Sequence, residues 1–458
     1  MAMPSMQDDT IIEAKLSPSA KAVLEVVHEI EDGQDAKVFQ DGPDTDHLRT
    51  MTKTFRGSMY SALTKRLAEV IDMGGVSIIT QSDLMSLAID LWNRNASRLS
   101  ETEVAVIKGA TESPGLALNE LALKVGLSYP QARRAHQRLR ECGIFRVLGS
   151  LNLDSMGLER VLLVMKSPQL VLSGPYIEKT LFVDGSSPTA YLVAVVAREQ
   201  TANLLHLVKS LRSAAESIFV WRLSAGKLGF SDLYLNARTS SWEPDLIHFR
   251  LMLRGGGSPI VLGDSALSLQ PRVSYTPADL TIIDQLRDNF MKTANEIVVS
   301  TGLSESTAFR KRQQILNSGI ILPRPRVQVP TLCERVIVIL PPDLAGDVLP
   351  AWSMLPVTYV SRVCSIEDAS QERVLLLAAV PRGVGRVVVG VLSSELSHVE
   401  DHSAHVVSSG SEGFVSMASM FDRRSGTWKW SRGDFFDVRP YSIVRREVDD
   451  VSLPIDLA

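Results

Sequence analysis

Two segments of the 458-residue sequence carry clusters of cations beside polar side chains. Residues 126–141 read GLSYPQARRAHQRLRE, and residues 301–313 read TGLSESTAFRKRQ. Arginine and lysine bind the phosphates of nucleic acids, while arginine, glutamine and serine can also read base edges. If both segments form helices, we expect their outward side chains to contact double-stranded DNA. The residues predicted to do so are Ser128, Gln131, Arg133, Arg134, Gln137, Arg138, Ser304, Ser306, Thr307, Arg310, Lys311, Arg312 and Gln314.

A helix-turn-helix would have to position these side chains, and both segments contain its local signals. Gly126 and Gly302 can end one helix in the left-handed conformation, and Ser128 and Ser304 can cap the next helix. The leucine between glycine and serine returns to a small core in each segment. Each segment is therefore predicted to be the turn and third helix of a three-helix unit.

The two segments belong to one long internal repeat. Residues 118–145 align without a gap with residues 294–321, so that Arg134 matches Arg310 and Gly143 matches Gly319. The repeat unit extends from about residue 100 to 254 and again from about 275 to 446. Its length predicts two duplicated modules and not a solenoid of short repeats.

A short β-prone stretch follows each predicted recognition helix, IFRVLGSLNL in the first copy and IILPRPRVQV in the second. A β-pair at this place is typical of the wing of a winged helix. We therefore expect three arginines of these stretches to meet the phosphate backbone, namely Arg146, Arg324 and Arg326.

After each predicted winged helix the pattern changes to strands and helices in the order βαββαβ, which predicts a ferredoxin-like α/β domain. The first helix of this pattern is poorly signalled in the first copy. The fold class is thus α+β, with an N-terminal helical extension before the repeat. The predicted units are residues 1–98 (extension), 99–154 (winged helix 1), 155–253 (α/β domain 1), 254–274 (linker), 275–331 (winged helix 2), 332–446 (α/β domain 2) and 447–458 (tail).

Composition narrows the class of protein. The formal net charge is −4, so any contact with nucleic acid must come from local basic patches. The three cysteines have no zinc or disulfide spacing, which favours a reducing cytoplasm and predicts no metal site. No signal peptide and no apolar run of membrane-spanning length is present, so no membrane partner is expected.

The combination of helix-turn-helix and βαββαβ domain resembles the Lrp/AsnC (leucine-responsive regulatory protein) family. The resemblance lies in residues 278–288 (ADLTIIDQLRD), residues 294–321 and, less closely, their counterparts in the first copy. It implies a cytoplasmic, nucleoid-associated transcriptional regulator with two DNA-binding heads in one chain. It also implies α/β domains that form homodimers or higher homo-oligomers and respond to a small-molecule effector, without a cofactor, catalytic residues or enzymatic activity.

Two alternatives remain open at this stage. Siroheme decarboxylases resemble the same pairing of winged helix and α/β domain, and they rely on a His/Tyr/Arg-rich segment of the α/β domain. The corresponding stretches here, LERVLLVMKSPQ and CERVIVILPPDL, contain neither histidine nor tyrosine. The other alternative is a protein-interaction scaffold whose winged helices do not bind DNA.

Each copy also ends with the pattern Arg-xxx-Trp-x6-Phe, in which Trp242 matches Trp428 and Phe249 matches Phe435. We expect a structural role, with the aromatic rings packed on the α/β domain or across the two copies.

Overall fold

The computed structural model describes residues 12, 14–33, 45–74, 78–236, 238–255, 275–398, 402–430 and 436–450. Its helical N-terminal region and large antiparallel sheet confirm the predicted α+β class. The predicted linker lies almost wholly outside these residues, as do Phe435 and the end of the tail. In the described part of the chain, no helix is long and apolar enough to cross a membrane.

The N-terminal helical region has four helices around a core of its own. Ser17, Ser58 and Thr80 start three of these helices by accepting hydrogen bonds from free backbone N–H groups. The helices are α1 (Pro18–Glu31), α2 (Thr45–Thr54), α3 (Met59–Asp72) and α4 (Gln81–Ala96).

Each copy begins with a unit of three helices at the positions that the capping signals predicted. In the first copy they are α5 (Glu101–Glu112), α6 (Leu118–Lys124) and α7 (Tyr129–Glu141). Helix α8 (Thr201–Leu211) and helix α9 (Leu246–Arg254) follow later in that copy, and the second unit is α10 (Pro277–Asp288), α11 (Ala294–Thr301) and α12 (Glu305–Ser318). Gly302 and Gly319 end α11 and α12 in the left-handed conformation, as expected.

The stretch after each three-helix unit differs from the prediction of a wing. Each forms a single strand, β1 (Phe145–Leu151) and β10 (Ile321–Val327), and the two strands pair antiparallel with each other. We call this pair the ribbon. Each ribbon strand forms its hydrogen bonds with the equivalent strand of the other copy. Among the described residues, no separate two-stranded wing therefore forms within either copy.

The first copy contributes six strands to the sheets that follow its ribbon strand. They are β2 (Leu158–Lys166), β3 (Leu170–Ser173), β4 (Ile177–Val183), β5 (Thr189–Ala197), β6 (Ser217–Leu223) and β7 (Lys227–Phe230). Four of them pair in the order β6-β2-β5-β4, which is the order that βαββαβ connectivity predicts. The first helix of that pattern is absent between β2 and β4, where the chain forms β3 instead.

The second copy repeats this order as β14-β11-β13-β12 and keeps both helices. Its elements are β11 (Glu334–Leu340), α13 (Pro342–Trp352), β12 (Val357–Ser365), β13 (Glu372–Val380), α14 (Val384–Glu395) and β14 (Ser403–Val407). Strand β12 pairs with β6 and β7 of the first copy, which joins the two halves. Strand β15 (Ser409–Glu412) follows β14 directly and pairs with β4, so the two ends of the ten-stranded sheet meet.

The end of each copy packs on the other copy. Helix α9 of the first copy lies on α13 and α14, and Phe249 is fully buried there. The second copy returns through α15 (Met417–Met420), β18 (Asp437–Pro440) and α16 (Tyr441–Asp450), of which β18 pairs with β3. This exchange makes the two copies one unit.

The two repeated tryptophans lie in short hairpins, formed by β8 (Leu235–Asn236) with β9 (Ser241–Trp242) and by β16 (Phe421–Asp422) with β17 (Thr427–Trp428). Trp242 is buried and donates its indole N–H to the Ser231 carbonyl at 3.1 Å. Trp428 is also buried and donates to the Met156 carbonyl of the first copy at 2.9 Å. The tryptophans therefore have the structural role that the repeat predicted.

We expect Trp242→Ala and Trp428→Ala each to lower the free energy of unfolding by about 3–5 kcal/mol, because each removes a buried ring and its hydrogen bond. Urea denaturation followed by circular dichroism would measure the loss. Arg238→Ala and Arg424→Ala change exposed residues of the same hairpins and should cost less than about 0.5 kcal/mol. Tryptophan variants as stable as these controls would contradict the structural role.

Candidate anion-binding site between the two sheets

A cavity of about 220 Å³ lies between the inner faces of the two halves of the sheet. Its floor is apolar. The side chains that form the floor are Leu162, Leu181, Tyr191 and Val193 of the first copy, with Ile337, Tyr359, Leu375 and Leu377 of the second. The ribbon and Arg287 of α10 lie over this floor. Both ribbon strands, both halves of the sheet and helix α10 thus contact one cavity.

Equivalent rows of residues from the two copies line the cavity. Lys179, Val193 and Leu162 are neighbours in register across β4, β5 and β2. The equivalent row across β12, β13 and β11 is Tyr359, Leu377 and Ile337. All six residues line the cavity. Lysine and tyrosine hold equivalent positions in these two rows, so the cavity between the duplicated halves is asymmetric.

A buried carboxylate holds the wall of the cavity together. Glu178 of β4 accepts a hydrogen bond from Arg160 of β2 at 2.7 Å, and its other oxygen lies 3.2 Å from Arg287. Burial by itself would raise the pKa of Glu178, but the charges of Arg160 and Arg287 outweigh it and hold this pKa at about 2. The glutamate is therefore ionised at neutral pH, and it ties the first half of the sheet to the second three-helix unit.

Further cations reach the same cavity from the ribbon and from β4. Arg324 and Arg326 of β10 line it, and Arg326 lies 3.4 Å from Glu412 of β15. Lys179 lies 3.6 Å from the same glutamate. This placement corrects the expectation for Arg324 and Arg326, which face the interior and do not project from a wing. Arg146 of β1 is exposed and does not line the cavity.

A larger cleft of about 730 Å³ adjoins the cavity. The two share Arg160, Arg324 and Tyr359 on their walls. Arg222, Lys227 and Arg362 add further cations to the walls of the cleft, where Arg222 and Arg362 are paired with Glu159 and Glu372. The site is therefore an apolar chamber whose walls carry many arginines.

One polar group at the junction of cavity and cleft lacks a partner within the described residues. The Nη2 atom of Arg324 is buried and makes no hydrogen bond there. An unsatisfied guanidinium nitrogen costs free energy, so such an atom favours an acceptor from a ligand. A carboxylate matches the fork of an arginine better than other acceptors do.

Two tyrosines supply polar tips to the apolar floor. Burial raises the pKa of Tyr191 well above its usual range, so its phenol stays protonated and can donate a hydrogen bond. The hydroxyl of Tyr359 accepts a hydrogen bond from the Gly226 backbone N–H at 3.1 Å. These two tyrosines come from β5 and β12, and not from the stretches around β2 and β11, which contain no tyrosine.

The predicted DNA-contacting residues of the first copy lie on α7. Gln131, Arg133, Arg134 and Gln137 are exposed, as is Ser128 at its N-cap. Arg138 differs, because it is mostly buried and donates to Glu103 at 2.9 Å. Glu103 also pairs with Arg56 of the N-terminal helical region and caps α5, so Arg138 has a structural partner.

On α12 of the second copy the predicted cations are mostly engaged within the chain. Lys311 pairs with Asp279 at 2.6 Å, and Arg312 donates to the Lys292 carbonyl at 2.8 Å. Arg310 is exposed, as are Ser304, Ser306 and Gln314, while Thr307 is half-buried. Asp279 and Glu103 hold equivalent positions in the two copies. Lys311 and Arg138 therefore make equivalent ion pairs from the third helix to the first helix, although they lie on different turns of the third helix.

The structure brings together functional candidates that the sequence analysis missed, namely Arg160, Glu178, Lys179, Arg287 and Glu412. The repeated Glu-Arg pair at the start of β2 and β11 was the available signal, because a charged pair entering an apolar strand must be partnered. Within the described part of the chain, no three His, Cys, Asp or Glu side chains are placed to hold a metal ion.

Comparisons with known proteins gave structural neighbours alone. No protein-family model matches the chain, and no curated protein matches it. A crystal structure of the siroheme decarboxylase NirDL has a TM-score of 0.36 at 13% identity, covering 68% of this chain and 93% of that one. The same enzyme in complex with an iron-uroporphyrin III analogue gives 0.36 at 11% identity, with 69% and 95% covered. The structure of PH0061 gives 0.21 at 17% identity, with 28% and 93% covered.

These neighbours contradict one expectation from the sequence. We predicted a chain without enzymatic activity, and the NirDL structures are those of an enzyme in the AsnC/Lrp-like group. The prediction of a non-enzymatic protein is therefore withdrawn.

Glu178→Gln should lower the free energy of unfolding at pH 7 by about 3–5 kcal/mol, because it leaves Arg160 and Arg287 buried without their shared counter-ion. The folded-state pKa near 2 lies below the reference value of 4.5, so ionised Glu178 stabilises the fold fully above about pH 5. This contribution should fall away as the pH drops from about 5 to 2.

Urea denaturation at several pH values would test both statements. Glu447→Gln, in an exposed ion pair with Arg439, is the matched control and should change the pH dependence far less. If Glu178→Gln showed the same loss of stability between pH 5 and pH 2 as the unmodified protein, the assignment of the low pKa would be wrong.

Proposed function

We propose that this chain is an enzyme that binds a tetrapyrrole-type polycarboxylate in the joined cavity and cleft and removes carboxyl groups from it. The observation that carries the proposal is the unsatisfied, buried Nη2 atom of Arg324 where the two chambers meet. A guanidinium nitrogen in this setting gains most from a ligand carboxylate.

The size and lining of the chamber support a large, flat ligand with a charged rim. The cleft of about 730 Å³ lies within the range of about 300–1,000 Å³ that small-molecule sites occupy. Leu162, Ile337 and Leu377 offer apolar surface to a ring system. The arginines at the walls could bind the carboxylates at its rim, which a neutral apolar ligand would leave without acceptors.

The available groups also suit decarboxylation. Removing CO₂ from a carboxymethyl arm breaks the bond between the methylene and carboxyl carbons, and the remaining carbon takes up one proton. Arginines would fix the carboxylates that stay, while an arm over the apolar floor loses its charge as CO₂ forms. Lys179, Tyr191 and Tyr359 are the proton-bearing groups of the floor and its edge.

Arg324→Met should weaken the binding of iron uroporphyrin III about 10- to 100-fold, because hydrogen bonds to charged groups contribute about 1.5–3 kcal/mol. Titration of the porphyrin absorbance band would measure the dissociation constant. Arg146→Met removes an exposed arginine from the same ribbon and is the matched control. Mass spectrometry of the bound porphyrin would then detect products that have lost CO₂.

Absence of saturable binding by the unmodified protein would refute the proposal. Equal weakening by Arg324→Met and Arg146→Met would show attraction to overall charge and no specific site.

A second function, DNA binding, has one specific observation in its favour. Helix α7 exposes Arg133, Arg134 and Arg140 together with Gln131 and Gln137. This is the mixture of phosphate-binding and base-reading side chains that a recognition helix needs. Helix α12 offers one exposed arginine, Arg310, because Lys311 and Arg312 bind within the chain. We therefore assign any DNA contact mainly to the first copy.

The double substitution Arg133→Ala/Arg134→Ala should weaken binding to duplex DNA about tenfold or more and reduce the slope against salt concentration by about two. Arg310→Ala should have a smaller effect. Fluorescence anisotropy at several salt concentrations would measure both quantities. Equal affinity of the double variant and the unmodified protein at low salt would exclude α7 as the DNA-contacting element.

A further inference from the structure

We infer that Glu412 is a built-in substitute for a ligand carboxylate, occupying an anion subsite formed by Lys179 and Arg326 at the edge of the cavity. This inference rests on the proposed function, since it assumes that the ligand of the cavity is a polycarboxylate. In the bound state, a carboxylate arm of the ligand takes the place of the Glu412 carboxylate. Glu412 therefore sets the affinity of the site for its ligand and selects against weakly charged ligands.

Three elements converge on this subsite. Lys179 belongs to β4 of the first copy, Arg326 to the ribbon and Glu412 to β15 of the second copy. Glu412 and Lys179 are directly opposite in the β15–β4 pair, so their side chains share one face of the sheet. Arg326 approaches the same carboxylate from the ribbon. All three residues line the cavity.

Glu412 is a more exposed carboxylate between two better-buried cations. The side chains of Lys179 and Arg326 are 13% and 23% exposed, and that of Glu412 is 28% exposed. The distances of 3.6 Å and 3.4 Å exceed the roughly 2.7–2.9 Å of a close N–H···O pair between charged groups. Glu178 in the same cavity has such a close pair with Arg160, at 2.7 Å. Of these two carboxylates Glu412 is the more exposed, at 28% against 15% for Glu178, which favours it as the one that a ligand arm replaces.

The backbone beside Glu412 is fixed, so replacement concerns the side chain alone. Gly413 donates its N–H to the Glu178 carbonyl at 2.8 Å, and a Cβ atom there would lie 2.5 Å from the Ile177 carbonyl oxygen. The next residue, Phe414, lies over the guanidinium of Arg287 at 4.7 Å. The frame of the subsite therefore stays in place when the carboxylate of Glu412 turns away.

Glu412→Gln is the direct test, because glutamine keeps the shape and removes the charge that competes with the ligand. We expect the full-length variant to bind iron uroporphyrin III at least about fivefold more tightly than the unmodified protein, since a unit charge in the subsite would otherwise repel the arriving carboxylate. Glu367→Gln removes an equal charge from an ion pair with Arg212 outside both chambers. This control should bind as the unmodified protein does.

A double-mutant cycle distinguishes an effect at this subsite from a general effect of charge on affinity. In the presence of Lys179→Met, Glu412→Gln should lose most of its gain, because the subsite then lacks one of its cations. The rise in melting temperature caused by the porphyrin should also be larger for Glu412→Gln than for the unmodified protein. If Glu412→Gln does not fold, Glu412→Asp, which withdraws the carboxylate by one methylene, should show a smaller gain in the same direction.

The outcomes separate the two proposals. If the unmodified protein binds the porphyrin while Glu412→Gln binds equally or less tightly, Glu412 is no substitute carboxylate and the proposed function still stands. A gain that persists in Lys179→Met would likewise overturn the inference. If none of the variants binds the porphyrin, the proposed function fails and this inference falls with it.

Discussion

The buried carboxylate of Glu178 joins the two copies by charge. Arg160 reaches it from a strand of the first copy, and Arg287 reaches it from the first helix of the second three-helix unit. Arg287 in turn contacts Asp284, which accepts hydrogen bonds from Met417 and Ala418 and so fixes the chain after β15. A buried charge must be partnered to be tolerated, so this cluster constrains how the second unit docks on the sheet.

The duplication explains why a site with these properties can arise. Two equivalent rows of residues, one from each copy, line the cavity, and each offers mainly apolar side chains to it. A symmetric dimer would place the same side chain on both sides. A single chain can vary the two sides separately, and here lysine stands on one side and tyrosine on the other. One asymmetric ligand can thus be bound by one pseudo-symmetric frame.

The pattern of the sequence predicted much of the fold from local signals. Helices α7 and α12 begin directly after Ser128 and Ser304, the capping residues that were expected. The apolar runs became strands in the predicted order in both copies. The wing was predicted wrongly for a physical reason: β-propensity shows that a segment forms a strand, but the choice of partner depends on which edge is near in the folded chain.

The sequence did not predict which arginines are exposed and which are buried in ion pairs either. Arg133 and Arg138 belong to the same helix, yet one is exposed and the other is locked to a buried glutamate 35 positions earlier in the chain. Arg324 and Arg326 looked like wing residues because their neighbours suggested a strand. In the folded chain both line the cavity, whereas Arg146, directly opposite Arg326 in the ribbon, is exposed.

The sequence by itself therefore determined the duplication, the positions of most helices and strands, and the cations of α7, because caps and periodicities act over a few residues. The tertiary structure alone decided which charges are buried and which chamber they line. Arg160, Lys179, Arg287, Arg324 and Glu412 come from five separate elements and from both copies. Their meeting depends on contacts such as Arg287–Glu178 and Lys179–Glu412, between residues more than 100 positions apart, and no local pattern encodes such contacts.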